Sequence, residues 1–307
     1  MIDVTVVGSL HLDIMVEAPR LPGRDETLIG SSWHYKCGGK GGNQAVAAAR
    51  FGARTAFGGR VGRDDFGDRL IGYLQTAGVD TQHVGIDPLL GSGMSVAIQE
   101  ADGEYAAVVV SGANASIDAG SVSEGWVNLW NCKVLLLQNE IPQAVNLRAA
   151  RAAKSSSTFI VLNAAPARAM PDGLLDLVDV LIVNRIEAEM LAGFPVINVA
   201  DAGRAAAMLG AERRDVVVTL GGDGMVLRQR TGAISNIAPL PVTVRSSHGA
   251  GDCFCGALAA KLAQGHTLIA ACHYANTAAA LFVSSSEDQQ ACLDDAAVHR
   301  RIDTQSS

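Results

Sequence analysis

The dominant pattern in the chain is a run of apolar residues that ends on a polar or glycine position and is followed by a segment with helical spacing. Residues 3–7 are rich in β-branched side chains and stop at Gly8-Ser9. Residues 133–140, 158–163, 178–184 and 215–224 repeat the scheme, ending in Glu140, Asn163, Asn184 and the stretch Thr219-Leu220-Gly221-Gly222-Asp223-Gly224. Such runs predict strands buried on both faces, the pattern of a parallel sheet. Between them lie helix-like segments; residues 68–78, for example, place Leu70, Ile71 and Leu74 at helical spacing. The alternation predicts an α/β fold, in which ligands gather at the carboxyl ends of the strands. One polar terminus is readily a turn residue, whereas a whole row of them predicts a crevice.

Two patches break the alternation. Residues 14–17 and 26–35 flank a turn with Pro19, Pro22 and Gly23, and residues 93–99 and 105–110 flank Ala101-Asp102-Gly103-Glu104. Turn residues between strand-like runs, with no helix, predict hairpins rather than βαβ units. They are assigned to a small separate β-sheet, a lid of residues 13–37 and 93–111. Residues 1–12, 38–92 and 112–307 are assigned to the α/β core, where a ligand is expected at the strand ends. A small sheet exposes an apolar face unless something covers it, so closure over the substrate or a homodimer through the lid is expected.

Composition narrows the partners. With 307 residues, 49% hydrophobic and 18% charged, the chain can bury a large core. A net charge of −7 without a Lys/Arg cluster argues against nucleic acid or an anionic membrane as partner and favours small molecules. No basic leader and no uninterrupted apolar run of about 18 residues is present, so a cytoplasmic protein is expected. The six cysteines are scattered and read as reduced thiols; Cys253 and Cys255 have no accompanying metal-ligand set and read as packing residues.

Two glycine-rich stretches carry the candidate chemistry. Ser246-Ser247-His248-Gly249-Ala250-Gly251-Asp252 feeds an apolar, alanine-rich helix, and a helix N-terminus reached through small residues accepts an anion. Asp252 is then either a helix cap or a base beside a transferring phosphoryl group, and the residues alone favour the cap. Cys37-Gly38-Gly39-Lys40-Gly41-Gly42-Asn43 precedes a second alanine-rich helix that stops at Gly52, with Asn43 able to cap it. It lacks the spacing of a Walker loop, and residues 55–67 lack that of a dinucleotide fingerprint; a flexible linker remains the alternative. Just past the first strand, His11 and Asp13 read equally as a polar loop or as ligand contacts.

Gly38-Gly39-Lys40-Gly41-Gly42-Asn43-Gln44-Ala45, Gly59-Arg60-Val61-Gly62-Arg63-Asp64-Asp65-Phe66-Gly67, Asn184-Arg185-Ile186-Glu187 and Gly249-Ala250-Gly251-Asp252 together resemble the ribokinase-like (PfkB) carbohydrate kinases. Gly112-Ala113-Asn114-Ala115 and Asn163-Ala164-Ala165-Pro166-Ala167 are similar to further segments of that family. The resemblance runs from about residue 3 to about residue 283. It implies a doubly wound, mostly parallel sheet flanked by helices, with a small β-sheet lid, and a kinase that moves the γ-phosphoryl group of ATP to a sugar hydroxyl. Asp252 would be the general base, with residues Gly249, Ala250 and Gly251 offering backbone N–H groups to the phosphoryl group. Sugar contacts map onto His11, Asp13, Gly39, Lys40, Gly41, Gly42, Asn43 and Glu140. ATP contacts map onto Asn184, Thr219, Gly221, Gly222, Gly224 and Asn276, and Glu187 would organise water around Mg²⁺.

The chain departs from the family's ribose-acting pattern at three points. His11 stands where that pattern has Asn, so the sugar or its pose is expected to differ. An Asp and a Thr that hold a monovalent cation are replaced by Ser246 and His248, and the opposing Lys-Gly segment reads Ser284-Ser285-Ser286-Glu287-Asp288. Ser and imidazole are poor ligands for a hard cation, so activity is expected to depend little on potassium. Ribose or a related pentose or ketose is the expected acceptor. A nucleoside kinase of the same fold and a non-catalytic, sugar-responsive binding protein are the alternatives; an aromatic content of 5% weighs against the first, and Asp252 with the intact pair Gly249 and Gly251 against the second.

Overall fold

The computed structural model describes residues 1–100 and 105–306, so the turn expected at 101–104 lies outside the described residues. In chain order, β1 (Ile2–Val7) passes through residues 8–10 into β2 (His11–Glu17), and β3 (Ser32–Gly38) runs into α1 (Lys40–Arg50). Next come β4 (Thr55–Gly62), α2 (Asp65–Thr76), β5 (Asp80–Asp87), β6 (Gly93–Gln99) and β7 (Tyr105–Val110). α3 (Ala119–Glu124), β8 (Cys132–Gln138), α4 (Gln143–Ser155), β9 (Phe159–Asn163), α5 (Leu174–Leu177), β10 (Val180–Asn184) and α6 (Arg185–Ala192) follow. The chain then forms α7 (Val199–Gly210), β11 (Asp215–Thr219), β12 (Met225–Arg228) and β13 (Ile234–Ile237). It closes with α8 (Ala250–Ala263), α9 (Leu268–Ser284), α10 (Glu287–Ala291) and α11 (Asp295–Ser306).

Among the described residues the strands form two sheets. Nine lie in the order β13-β12-β11-β10-β9-β8-β1-β4-β5, parallel from β11 to β5 and antiparallel only at β12 and β13. The apolar runs alternate between its two faces as a pleat of period two requires. On β8, Val134 and Leu136 face a core shared with α1, α8 and α9, while Leu135 and Leu137 face one shared with α4, α6 and α7. All four are essentially without solvent exposure, and full burial of such a side chain contributes about 1.5–3 kcal/mol.

β1 has β4 on one side and β8 on the other, and the strand order runs outward from it in both directions. That reversal opens a crevice at the strands' carboxyl ends. The second sheet, in the order β3-β2-β6-β7, joins two antiparallel pairs through the parallel pair β2·β6. Its strand β2 begins at His11, so His11 and Asp13 lie on a strand rather than in a polar loop. Among the described residues no helix is long and apolar enough to cross a membrane.

Candidate active site

The first turn of α1 lies against the end of β1. A Cβ on Gly41 would sit 2.6 Å from the Ser9 amide nitrogen, so a side chain there would push the helix off the strand end. Gly39, at φ +84°, makes the entry turn in a region that favours glycine. The helix starts at Lys40, four residues earlier than the alanine run alone implies, and Gly39 rather than Asn43 is its cap. Lys40 N–H donates to Glu140 Oε2 at 2.9 Å, and the Ser9 hydroxyl donates to the same oxygen at 2.5 Å. Glu140, two residues beyond β8, thus places its carboxylate at the positive end of α1. His11 Nδ1 is 3.8 Å from that carboxylate; its ring is buried and Nε2 has no protein partner. On the next inward position of β2, Asp13 accepts a hydrogen bond from Ser95 Oγ and lies against Gly38.

α8 enters through Gly249, also left-handed at φ +83°, and Asp252 lies in its first turn. No side chain caps this helix. Asp252 instead accepts from Asn43 Nδ2 at 3.1 Å on one oxygen and from Gln44 Nε2 at 2.9 Å on the other. The cap reading therefore fails. Gln44 is itself fully buried and fixed: its Nε2 also donates to Asn163 Oδ1 at 3.1 Å, and its Oε1 accepts from Gln138 Nε2 at 2.7 Å. A chain of amides thus runs from the ends of β8 and β9 through α1 to the carboxylate on α8. Linked buried networks of this kind hold a side chain in one orientation, here with Gln138 Oε1 left without a partner.

The charges are set by burial and by one another. Burial raises the pKa of Asp252; Lys40 and the two amides oppose it without cancelling it. For Lys40, burial alone would favour the neutral amine. The carboxylates of Asp252, Glu140 and Glu187 outweigh it and raise the pKa. Glu187 is also raised by burial, against the Asn184 N–H that it accepts at 2.8 Å. That contact is half of a capping box on α6, completed by Glu187 N–H to Asn184 Oδ1 at 2.9 Å.

A crevice of about 380 Å³ has Lys40, Asn184, Glu187, Thr219, Gly251 and Asp252 in its walls beside Asn163 and Gly249, whereas Glu140, His11, Asp13 and Asn43 are not among its wall residues. Ala250 is in the first turn of α8 but not in that wall, and Gly251 is helical rather than specially twisted. Gly221, Gly222 and Gly224 lie past β11 in a turn beyond the crevice. Asn276, on α9, lines a separate cavity of about 310 Å³ together with Ile237, Ala238 and Thr277. The residues that the sequence reading passed over are Ser9, Gln44, Ser95, Gln138 and the amide of Asn163. Gln44 follows Asn43 directly, and Gln138 and Asn163 end apolar strands, so the row of polar termini contained the signal.

The crevice combines a buried carboxylate, a cation and a helix N-terminus reached through glycine. That set can hold an anion and take a proton next to it. For a magnesium ion the fit is sparse: among the described residues no group of three or more His, Cys, Asp or Glu could hold a metal. Glu187 lines the crevice and uses one carboxylate oxygen on Asn184 N–H, a single carboxylate that suits an ion keeping most of its waters.

The model of the pfkB family carbohydrate kinases matches residues 1–296. The ribokinase of Haemophilus influenzae is 33% identical over 289 residues, covering 93% of this chain and 94% of the relative. The ribokinase of Bacillus subtilis is 33% identical over 285 residues, covering 92% and 93%. Among solved structures, Arabidopsis thaliana ribokinase complexed with ribose and ATP superimposes with a TM-score of 0.91 at 29% identity, covering 97% of this chain and 98% of that one.

Proposed function

The chain belongs to the pfkB family of carbohydrate kinases, and from that premise we propose that it transfers the γ-phosphoryl group of ATP to a hydroxyl of ribose, or of a closely related pentose or ketose, with Asp252 as general base. The observation that carries this reading is the Asp252 carboxylate, held by Asn43 and Gln44 beside the glycine turn in the wall of the crevice. Asp252 accepts the proton of the sugar hydroxyl as that oxygen bonds to phosphorus and the bond to the leaving ADP oxygen breaks. The N–H groups of residues 249–251 and the Lys40 ammonium meet the charge that collects on the phosphoryl oxygens. Glu187 would hold a water of a magnesium ion, whose charge would offset that of the phosphates.

His11, Asp13, Asn43 and Glu140 supply the mixture of acceptors and donors that a polyol needs. Ribose is the first candidate because the two relatives at 33% identity are ribokinases and the Arabidopsis neighbour is complexed with ribose. The small sheet, residues 13–37 and 93–111, is read as a lid that excludes water from the acceptor.

The test is ADP release measured across pentoses, hexoses, ketoses and nucleosides. Ribose or a near relative is expected to be used best, with similar turnover in sodium and potassium buffers. In Asp252→Asn, turnover is expected to fall by about 10²–10⁴-fold while sugar affinity stays within a few-fold. A variant with wild-type turnover would rule out Asp252 as the base, and preference for a nucleoside would replace the acceptor.

A further inference from the structure

A cavity of about 350 Å³, distinct from the crevice and from the one that contains Asn276, is walled by segments far apart in the sequence. β3 contributes Lys36, α1 contributes Val46 and Arg50, α2 contributes Tyr73, and the turn before α8 contributes His248. The end of α9 and α10 close it with Phe282, Glu287 and Gln290. Most of the lining is apolar: Val46, Phe51, Cys253 and Leu293 are buried, and Phe282 is half-buried. Of the residues assigned to the sugar or to catalysis, only Asn43 and Gly249 reach it.

The charges in this cavity do not balance. Its one carboxylate, Glu287, is already taken by Lys36 at 2.8 Å, a contact that joins the small sheet to α10 and holds the carboxyl below its ordinary range. Arg50 has no such partner. Its Nη1 donates to the Gln290 carbonyl at 3.0 Å, and among the described residues the guanidinium forms no ion pair. Gln290 is buried and its own Nε2 donates to the Phe282 carbonyl at 3.0 Å, so the arginine is anchored to a fixed group. Next to it, burial raises the Tyr73 pKa and Arg50 offsets part of the rise, which leaves the phenol a neutral donor. A half-buried guanidinium with planar donors to spare, in an apolar chamber without a free anion, is complementary to a carboxylate on an apolar body.

We propose that this cavity is a second ligand site, which takes a small organic carboxylate with an apolar body on the Arg50 guanidinium, and that its occupant tightens the hold on the sugar through Asn43. Asn43 lines the cavity while its Nδ2 donates to Asp252 at 3.1 Å, so both ligands favour one position of that residue and each raises the affinity for the other by the same factor. The coupling rests on the kinase reading above; the site does not. The test is calorimetric titration of the full chain with benzoate, and with acetate and benzyl alcohol as its head and body alone. Benzoate is expected to saturate with a Kd of about 0.1–1 mM and the other two to bind about tenfold more weakly. Arg50→Met is expected to weaken benzoate by about tenfold, and Arg50→Lys, which keeps the charge without the planar fork, by less. Ala291→Trp, at an exposed position of the same wall, should block the cavity with Arg50 intact, and it decides where Arg50→Met fails to fold. Ribose affinity should rise by about fivefold in saturating benzoate, and benzoate affinity equally in saturating ribose. Benzoate that does not saturate, that binds no better than benzyl alcohol, or that binds equally well in Arg50→Met and Ala291→Trp would overturn the site. Ribose affinity unchanged by bound benzoate would overturn the link through Asn43. A protein that binds benzoate through Arg50 but no ribose would overturn the acceptor reading and leave the site standing.

Discussion

At the scale of the residue, Asp252 is a carboxylate that burial alone would hold protonated. Two amides and an ammonium draw it partway back, and the net pKa stays above the ordinary value of 3.8. A base acts only when deprotonated, so the acid limb of kcat/KM lies above the usual carboxylate range and disappears in Asp252→Asn. Lys40 lowers that pKa, so Lys40→Met is expected to move the limb to higher pH and to reduce kcat at neutral pH by about 10²-fold. A limb that stays in place in a pH–rate profile would exclude this electrostatic link. The same shift bears on stability. A raised folded-state pKa contributes stability below the unfolded value that is lost as pH rises through the folded one. Near pH 7, Asp252→Asn should therefore melt no lower than wild type, which scanning calorimetry would check. None of this could be read from Gly-Ala-Gly-Asp alone, because Asn43 and Gln44 lie more than 200 positions away, at separations of 209 and 208.

At the scale of the element, the site depends on two helices that pass unusually close. A Cβ on Gly256 of α8 would come within 2.5 Å of the Ala47 side chain and of the Gln44 carbonyl oxygen on α1. The alanine-rich sequences of both helices, legible from the start, are what close packing requires, but the crossing point was not. Gly256→Val should force the helices apart, lower stability by about 1–3 kcal/mol in a urea titration, and reduce kcat well beyond the loss of folded protein. Unaltered kcat in the folded fraction would show that Asp252 keeps its place without α1. Cys253 and Cys255 belong to this packing. Burial, first of all, holds both thiols well above the ordinary range, which keeps them unreactive.

At the scale of the whole molecule, the register of the small sheet puts Tyr35, Ile14, Val96 and Val108 in one row across four strands. Trp33, Val16 and Ile98 lie in the next row of the same face. Trp33 at 61% and Val108 at 70% exposure leave that face open, and a patch of this kind is more stable when covered. A dimer through the two small sheets is the expected state in light scattering, and Val108→Asp should shift it to monomer. A monomeric wild type at micromolar concentration would remove this reading.

Periodicity and punctuation alone determined the α/β class, the separate β-rich patches and the row of polar strand ends, because each depends on neighbours within a few residues. The paired glycine motifs determined the family for the same reason: close backbone approach leaves a local mark. Three features were decided only by the tertiary structure. Asp252 is a held carboxylate rather than a cap, His11 and Asp13 are buried positions on a strand, and Asn276 faces a cavity apart from the crevice of Thr219. Each depends on which distant segment lies opposite, from 27 residues away for Gly38 beside His11 to 209 for Asn43 beside Asp252, and such pairing is set by the packing of the whole core rather than by any stretch of chain.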